Sequence, residues 1–441
     1  MVKYLAIVII IFFSLSACRV TEKEYLGVPH TEIKIQLDYL LNNFYPRIID
    51  TVNGGYWTNF ENDWTLSENQ DKMLVTQARG LWTAARAAEM FPENPVFRKA
   101  ADHGYEFLTT RLWDTIGGGF YQFYYPDSAQ KAEAVYKLTY GNAFALYALS
   151  QYALINKTPE TLGWVKKAFD WLEKKVYDPA EKGYFSIWIG NTKFTGKEVP
   201  EGWDNPSGKD QNTGIHLLEA LTTAYRVIPD DIVKDRLTET LGLVRDRMVN
   251  ESGYLNLFFD SKWNPVCIKD SSRNYIIKNP WMDHVSFGHN IETAYLLVDA
   301  SKALYGTPDP LTLKVARGLI DHTLEFGFDK DFYGIFDKGY EFTKGTVEVI
   351  DSSKVWWAQA EAWHALALFS ELYPEDNRYA AEFPKMWNYI TTEMVDKEHG
   401  GWYNSGLDAN PRTVRERKVH AWKSCYHDGR ALMQVFSYSK K

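Results

Sequence analysis

A six-fold internal repeat constrains this chain more than any other feature, because repeats decide an architecture before single elements do. A glycine next to aromatic or apolar residues recurs along the sequence, and the key glycines are Gly55, Gly119, Gly183, Gly253, Gly334 and Gly401. Their spacings are 64, 64, 70, 81 and 67 residues. We expect each marker to be a short turn or β-hairpin in which glycine adopts a positive φ.

Each marker has one helical pattern before it and another after it. The patterns before the markers mix charged and apolar residues, as half-exposed helices do, and cover 33–46, 95–112, 159–176, 231–249, 310–327 and 377–394. Those after the markers are apolar on most faces, as buried helices must be, and cover 72–90, 137–155, 210–227, 288–305, 354–373 and 424–438. Six such helical hairpins predict an all-α protein, an (α/α)6 barrel whose buried helices form the inner ring. No Pro- or Ser-rich linker interrupts residues 33–441, so we predict one catalytic domain there.

The first segment indicates export. Residues 1–17 have a lysine, a short apolar run and small residues before Cys18, as a secretory signal peptide does. The run is too short to span a membrane, which takes about 20 residues. LSAC at 15–18 resembles a bacterial lipoprotein cleavage box, which predicts lipidation of Cys18 and a tether over 18–32. We expect an exported lipoprotein on the periplasmic or cell-surface side of a membrane, held only by its N-terminal lipid anchor; plain secretion is the alternative.

The amino-acid composition narrows the classes of partner to expect. The formal net charge of -8 and the mean hydropathy of -0.37 indicate a soluble globular body and make nucleic acid an unexpected partner. The chain has 16 Trp, 28 Tyr and 24 Phe, which could form core or line a sugar-binding cleft. The two cysteines beyond Cys18, Cys267 and Cys425, allow at most one disulfide.

Candidate site residues fall at the start of the inner helices, whose N-termini share one rim with unpaired N–H groups and positive potential. Three of the ten histidines lie there, namely His216, His289 and His427. Glu292 lies three residues after His289 on one helical face, so it could orient that imidazole and raise its pKa for general base work. The alternative is an ordinary pair on a helix surface.

Other polar and aromatic side chains share this rim. Arg79 on a buried helix needs a partner: either a carboxylate such as Glu361 or an oxyanion that arrives with the substrate. Trp357 and Trp422 could be core, but beside histidines and carboxylates they suit stacking on sugar rings. Tyr140 and Asn212 complete the predicted substrate contacts.

Other chemistries have little support in the sequence. It lacks HExxH, CxxC, GxxxxGK[ST] and GxSxG patterns, and no GxGxxG lies between a strand and a helix. His284 and His289 are five residues apart and off one helical face. We therefore expect no metal and no cofactor.

Six ordered motifs resemble the N-acylglucosamine 2-epimerase superfamily, in particular its cellobiose 2-epimerase branch. They are QARGLW (77–82), KLTYGNAFALYAL (137–149), NTGIHLLEALT (212–222), FGHNIETAYLL (287–297), KVWWAQAEA (354–362) and WKSCYHDGRA (422–431). The family fold is an (α/α)6 barrel, as the repeat predicts. Gly214 and Asp428 depart from the branch as we know it, which puts substrate choice in doubt.

The resemblance implies residue roles. His289 and His427 match the catalytic pair, His216 beside Asn212 the auxiliary histidine, and Arg79, Glu292 and Glu361 the supporting charges; Trp357 and Trp422 match the stacking tryptophans. The implied reaction inverts carbon 2 of the reducing-end aldose of a β-1,4-linked disaccharide, of the cellobiose or mannobiose type, through an enediolate without a cofactor. Rivals are an aldose-ketose isomerase of the same superfamily, a glycoside hydrolase using Glu292 and Glu361, and a non-catalytic sugar-binding lipoprotein.

Overall fold

The computed structural model describes residues 23–128, 136–189, 192–193 and 208–440. Within these ranges the α-helices are α1 His30–Phe44, α2 Leu74–Met90, α3 Pro95–Phe107, α4 Thr139–Ile155, α5 Pro159–Lys175, α6 Gln211–Val227, α7 Asp231–Leu243, α8 Arg273–Lys278, α9 Phe287–Tyr305, α10 Pro310–Phe326, α11 Trp356–Leu372, α12 Asn377–Tyr389 and α13 Tyr426–Ser439. π-Helical segments extend α3, α7 and α12, over Leu108–Leu112, Val244–Met248 and Ile390–Met394.

Short strands pair into five small antiparallel sheets outside the helical body. They are Glu24–Tyr25, Val28–Pro29, Lys72–Met73, Phe123–Tyr124, Tyr136–Leu138, Ile187–Ile189, Thr192–Lys193, Lys209–Asp210, Phe258–Phe259, Pro265–Val266, Val285–Ser286, Lys338–Thr343 and Thr346–Asp351. A 3-10 turn covers Pro411–Arg415. No helix in the described part of the chain is both long and apolar enough to cross a membrane.

Six helices close the inner ring. α2 packs on α4, α4 on α6, α6 on α9, α9 on α11, α11 on α13, and α13 returns to α2. Each inner helix also packs on the outer helix that follows it, and α13, the last, packs on α1, the first. His30 Nδ1 lies 2.8 Å from Ser439 Oγ, so the two ends of the barrel domain meet. The predicted (α/α)6 barrel is confirmed, and the twelve predicted helices agree with it to within three residues once the π segments are included.

The six markers are variants of one turn. All six key glycines have positive φ, as expected. A backbone bridge closes each turn, pairing Ile49 with Tyr56, Trp113 with Phe120, Tyr177 with Tyr184, Val249 with Leu255, Phe328 with Ile335 and Val395 with Trp402. At Gly119 a Cβ atom would lie 2.4 Å from the Trp171 ring, so glycine is required there for space as well as for φ.

Five of the six turns are tied down by a buried ion pair. Each of these turns begins with an aspartate whose carboxylate binds a lysine: Asp50 with Lys72, Asp114 with Lys137, Asp178 with Lys209, Asp329 with Lys354 and Asp396 with Lys418. In four of them the lysine lies two residues before the inner helix, in the strand or extended segment that leads into it. The fourth turn differs, because it begins with Asn250 and its strand carries Val285. The strand that leads into the fourth inner helix therefore brings no ammonium group.

The predicted tether over 18–32 is wrong for the part that the structure describes. Glu24–Tyr25 pairs with Val28–Pro29, Val28 is buried, and α1 already begins at His30. Apolar contacts explain this order, since the Tyr25 ring packs edge-on against Phe383 at 5.6 Å. The predicted signal peptide and Cys18 lie outside the described residues. Cys267 is exposed and Cys425 buried, and both are free thiols.

Candidate active site

The repeat places the predicted site residues in two layers inside the ring. Seven residues after Lys72, Lys137, Lys209, Val285, Lys354 and Lys423, the inner helices carry Arg79, Phe144, His216, Glu292, Glu361 and Arg430. Three residues earlier, and so about one helical turn nearer the rim, the fourth and sixth inner helices carry His289 and His427. The two histidines therefore occupy equivalent positions on helices separated by one neighbour, α11, and face a common space from two sides.

His289 is held by a hydroxyl group. Its Nδ1 lies 2.9 Å from Ser286 Oγ, and Ser286 also caps α9 by accepting from the His289 backbone N–H. Glu292, predicted to orient this ring, instead accepts from Arg430. Burial lowers the pKa of His289 to about 4, and the nearby Glu292 charge offsets this only in part. The prediction that Glu292 orients His289 is therefore wrong, and the rise in pKa expected from its charge is outweighed by burial.

His427 is held by a carboxylate. Its Nδ1 lies 2.5 Å from Glu361 Oε1, and a carboxylate can only accept, so Nδ1 carries the proton and Nε2 carries the lone pair. Burial, together with the Arg79 and Arg430 charges, lowers the pKa of His427 well below its usual value. Among the described residues, Nε2 of His427 has no hydrogen-bond partner, as suits a base that awaits substrate.

The lowered pKa values predict an acid-tolerant enzyme. A general base must be neutral, so on the acidic side kcat/KM falls as pH drops through the pKa of the imidazole in the free enzyme. We expect the acidic limb of kcat/KM to lie near pH 4 to 5, below the usual histidine value of about 6.5. A pH profile of kcat/KM between pH 3.5 and 8 checks this, and a limb at pH 6.5 or above would contradict it.

Arg430 is the hub of the inner layer. It binds Glu219, and its NH2 group donates to Glu292 Oε1 at 2.5 Å and to Glu361 Oε1 at 2.6 Å. Burial alone would lower the pKa of Arg430, but Glu361 and its neighbours hold it well above its usual value. Glu361 is thus the partner of Arg430 and His427. Both carboxylates of the suggested hydrolase pair are buried on one guanidinium, which disfavours the protonated acid that glycoside hydrolysis needs.

His216 lies at the bottom of the same space. Its Nδ1 is 3.1 Å from Glu219 Oε2, and its ring packs on Phe144 at 4.7 Å and on Tyr140 at 5.3 Å. Burial raises the pKa of Glu219, but Arg430 and His216 outweigh it and bring the pKa to about 2. Glu219 is therefore an anion that fixes one face of His216.

Arg79 has no carboxylate partner among the described residues. Its NH2 donates to the Tyr140 hydroxyl at 2.9 Å and its NH1 to the Trp422 carbonyl at 3.2 Å. Its guanidinium lies over the Phe144 ring at 4.5 Å. The sequence left two interpretations of Arg79. The first, that it pairs with Glu361, is wrong. The second, that its guanidinium is available for an oxyanion of the substrate, agrees with the structure. Asn212 follows in the first turn of α6, and its buried Oδ1 has no hydrogen-bond partner among the residues that the structure describes.

The two tryptophans flank the histidines. The Trp357 ring lies 4.7 Å from His289 and 5.9 Å from His427, so it lies between the two bases. A Cβ on Gly288 would come within 2.4 Å of the Trp357 ring, which explains that glycine. Trp422 is 51% exposed and near Tyr140, as expected of a stacking surface at the mouth.

The two departures from the branch do not line this space. A Cβ on Gly214 would meet the Met248 side chain at 2.2 Å, so this position faces the outer layer. Asp428 is buried beside Lys423, and burial raises its pKa to about 6. It occupies the position at which Gln77 and Gln359 accept from the turn backbone. The expectation that these residues alter substrate choice is not supported by their placement.

One group of residues has the spacing of a metal site. Ligand atoms of Glu292, Glu361 and His427 lie within 4.8 Å of one another. Arg430 already supplies a cation to both carboxylates. The donors are thus engaged in an ion-pair network.

Sequence reasoning assigned no role to three functional positions. Arg430 could have been found from the layer spacing, which places it level with Glu292 and Glu361. Glu219 could have been found from its place three residues after His216, as Glu292 follows His289. Ser286 could have been found from the shared pattern Ser-x-x-His, since Ser286 precedes His289 as Ser424 precedes His427. Each is 94% or more buried.

The comparisons with known proteins agree with this geometry. The family model for N-acylglucosamine 2-epimerase matches residues 55–431. The chain belongs to the N-acylglucosamine 2-epimerase family. It is 29% identical to the cellobiose 2-epimerase of Ruminococcus albus, over 92% of this chain and 98% of that protein. It is 24% identical to the D-mannose isomerase of Marinomonas mediterranea, over 92% and 96%.

A solved structure gives the same result. The cellobiose 2-epimerase of Spirochaeta thermophila matches with a TM-score of 0.80 at 28% identity, over 93% of this chain and 96% of that one. The proteins that this chain resembles are named as epimerases and isomerases. We conclude that it is a carbohydrate isomerase of the epimerase family, which acts on a sugar.

Proposed function

We propose that this family member inverts carbon 2 of the reducing-end aldose of a β-1,4-linked disaccharide, of the cellobiose or mannobiose type. The observation that carries the proposal is the pair His289 and His427, placed at equivalent positions on two sides of Trp357. Inversion needs a proton removed from one face of a carbon and returned to the other. Two imidazoles facing one space meet that need.

The proposed chemistry begins with the open-chain aldehyde. One histidine takes the carbon 2 proton through Nε2, the C–H electron pair forms the C1–C2 double bond, and the carbonyl pair moves to oxygen 1. Arg79 is the cation available for that oxyanion, since no carboxylate of the described residues neutralises it. The other histidine takes a proton from solvent at Nε2 as the enediolate charge develops beside it, and gives that proton to the opposite face of carbon 2. The first histidine then releases the proton it removed to solvent. His216 and Asn212 are assigned to ring opening or to oxygen 1.

The proposal that the substrate is a disaccharide rests on the names of the similar proteins and on an exposed tryptophan at the mouth of the site. Two of the three named proteins are cellobiose 2-epimerases, and the third is a D-mannose isomerase. The exposed Trp422 ring offers a second stacking surface outside the one formed by Trp357, as a second sugar ring requires. Return of the proton to carbon 1 instead would give an aldose-ketose isomerase, which remains the second candidate because the same enediolate feeds both.

Product analysis tests the proposal. The purified protein is incubated with cellobiose, β-1,4-mannobiose, glucose and mannose, and products are separated by anion-exchange chromatography and identified by NMR. We expect the carbon 2 epimer of each disaccharide as the main product. A ketose as the main product would favour the isomerase, and free monosaccharides from a disaccharide would contradict both.

Ser286 provides a prediction about the base itself. Ser286→Ala removes the hydroxyl that holds His289 Nδ1, and a hydrogen bond of about 1 to 1.5 kcal/mol corresponds to roughly a tenfold change in rate. We expect kcat to fall about tenfold with KM nearly unchanged. Ser424→Ala is the matched control, because the buried Oγ of Ser424 has no hydrogen-bond partner in the described part of the chain and His427 is held by Glu361. Equal losses in the two variants would argue against a role for Ser286.

We also propose that the protein is exported and that Cys18 carries a lipid anchor. The support is the LSAC sequence at 15–18 after a charged start and an apolar run. Metabolic labelling with an alkyne fatty acid in a bacterial host tests it. Label in the wild type and none in Cys18→Ser is the expected result.

A further inference from the structure

We infer that the barrel stands on the membrane with its catalytic mouth turned away from the lipid. This rests on the proposed lipid anchor at Cys18 and is independent of the reaction that the site performs. The partner surface is the bilayer, and the face that meets it is the ring of connections at the carboxyl ends of the inner helices. We call that ring the rear rim.

The chain enters the barrel at the rear rim. Lys23 Nζ donates to the Lys440 carbonyl oxygen at 3.1 Å, directly after α13 ends at Ser439. The Tyr25 hydroxyl donates to Glu371 at 3.2 Å, near the end of α11 at Leu372. His427 and Trp357, by contrast, lie in the first turns of the same two helices. The entry point and the catalytic mouth are thus at opposite ends of the barrel.

This entry is fixed by several contacts. Lys23 accepts a backbone hydrogen bond from His30 at 2.9 Å, which closes the small hairpin of Glu24–Tyr25 and Val28–Pro29. Tyr25 packs on Phe383 and Val28 is 2% exposed. From Lys23 onward the chain is therefore held against the barrel.

The remaining chain is too short to let the barrel turn over. Five residue steps join Cys18 to Lys23, and at about 3.6 Å each they span at most about 18 Å. An inner helix of 17 residues, such as α11, is about 25 Å long. To bring the mouth to the lipid surface, the tether would have to cover that height. It cannot, so the barrel can tilt but the mouth stays on the aqueous side.

Charge does not set this orientation. Lys23 and Lys440 are exposed at the entry, but Glu93, Asp230, Asp231 and Glu375 are exposed in the other connections of the rear rim. The orientation therefore rests on the entry point and the length of the tether. The functional consequence is that the orientation of the barrel decides where its substrate comes from. The mouth samples sugars dissolved in the surrounding water, and glycans attached to lipids of the supporting leaflet cannot reach Trp422 or the histidines.

Energy transfer to the membrane tests this orientation. The lipidated full-length protein is reconstituted in phosphatidylethanolamine and phosphatidylglycerol vesicles that carry an acceptor dye on a head group. One sample has a donor dye on native Cys267, which is exposed on the mouth side, next to the Phe258–Phe259 strand that pairs with Lys209–Asp210 before α6. The other is Cys267→Ser with Lys157→Cys, an exposed residue between α4 and α5 on the rear rim.

We expect strong transfer from position 157 and at least a twofold weaker transfer from position 267. Equal transfer, or stronger transfer from 267, would overturn the orientation. Cys18→Ser protein added to the same vesicles should give no transfer at either position, and lack of fatty-acid label in the wild type would overturn the anchor on which the inference depends. Activity on soluble disaccharide is measured on each labelled protein, so failure of the orientation is separate from failure of the epimerase proposal.

A lengthened tether gives an internal control. Insertion of a 15-residue Gly/Ser segment between Thr21 and Glu22 raises the fully extended reach to about 70 Å, well above the height of the barrel. The difference in transfer between positions 157 and 267 should shrink at least twofold in this variant while lipidation is kept. An unchanged difference would mean that something other than tether length sets the orientation, which contradicts the argument.

Discussion

His289→Ala and His427→Ala should each lower kcat for epimerisation by a factor of about 10³ or more. A positioned acid or base contributes about 10² to 10⁴ in rate, and inversion fails when either face lacks one. KM should change little, because neither imidazole supplies the stacking surfaces. His399→Ala is the matched control, since that residue lies in the sixth turn near Asn62 and away from the ring layers.

The two variants should differ in what they still do. Each retains one base, so each should still exchange the carbon 2 proton of one epimer with solvent while failing to convert it. We expect His289→Ala to exchange only one of the pair cellobiose and its carbon 2 epimer, and His427→Ala only the other. Exchange of both epimers by one variant would mean that a single base serves both faces.

Arg430→Met should be the most damaging change to stability. Arg430 is the cation shared by Glu219, Glu292 and Glu361, and removing one partner from a buried ion network costs about 3 to 5 kcal/mol. We expect the free energy of unfolding in urea at pH 7 to drop by that amount. Arg378→Met, which removes exposed ion pairs with Asp376 and Asp321, should cost about 1 kcal/mol or less.

The cost of Arg430→Met should depend on pH with a defined sign. The folded-state pKa of Glu219 is about 2, below the ordinary value, largely because Arg430 outweighs the effect of burial. That pairing contributes stability above the unfolded pKa of about 4.3 and loses it as pH falls toward 2. The difference between wild type and variant should therefore be largest above pH 5 and shrink in acid. A difference that grows in acid would contradict the assigned charges.

Much of the fold could be predicted because the same pattern of helix, glycine turn and helix occurs six times in the sequence. The marker glycines and the alternation of buried and half-exposed helices place the twelve barrel helices, α1 to α13 without α8, to within three residues. Inner helices begin one or two residues later than expected in several units, because an extended segment with a buried lysine precedes them. The short α8 was not predicted, since it lies in the longest interval between markers and has no counterpart in the other units.

The site was predicted less completely. His289, His427 and Trp357 follow from position in the first helical turns, where periodicity decides which side chains face inward. The partners of Glu292 and Glu361 did not follow, because pairing depends on which side chains of three helices meet at Arg430. The same applies to Ser286, whose hydroxyl replaces Glu292 as the partner of His289 through a cap on α9.

Deuterium placement tests the central claim most directly, that two histidines invert one carbon through an enediolate. The wild-type protein converts cellobiose in deuterated water, and the product is examined by NMR and mass spectrometry after one round of conversion. The proposed reaction predicts the carbon 2 epimer, with its glycosidic bond intact and with deuterium at carbon 2. Deuterium at carbon 1 of a ketose, or an epimer formed without any label, would contradict it.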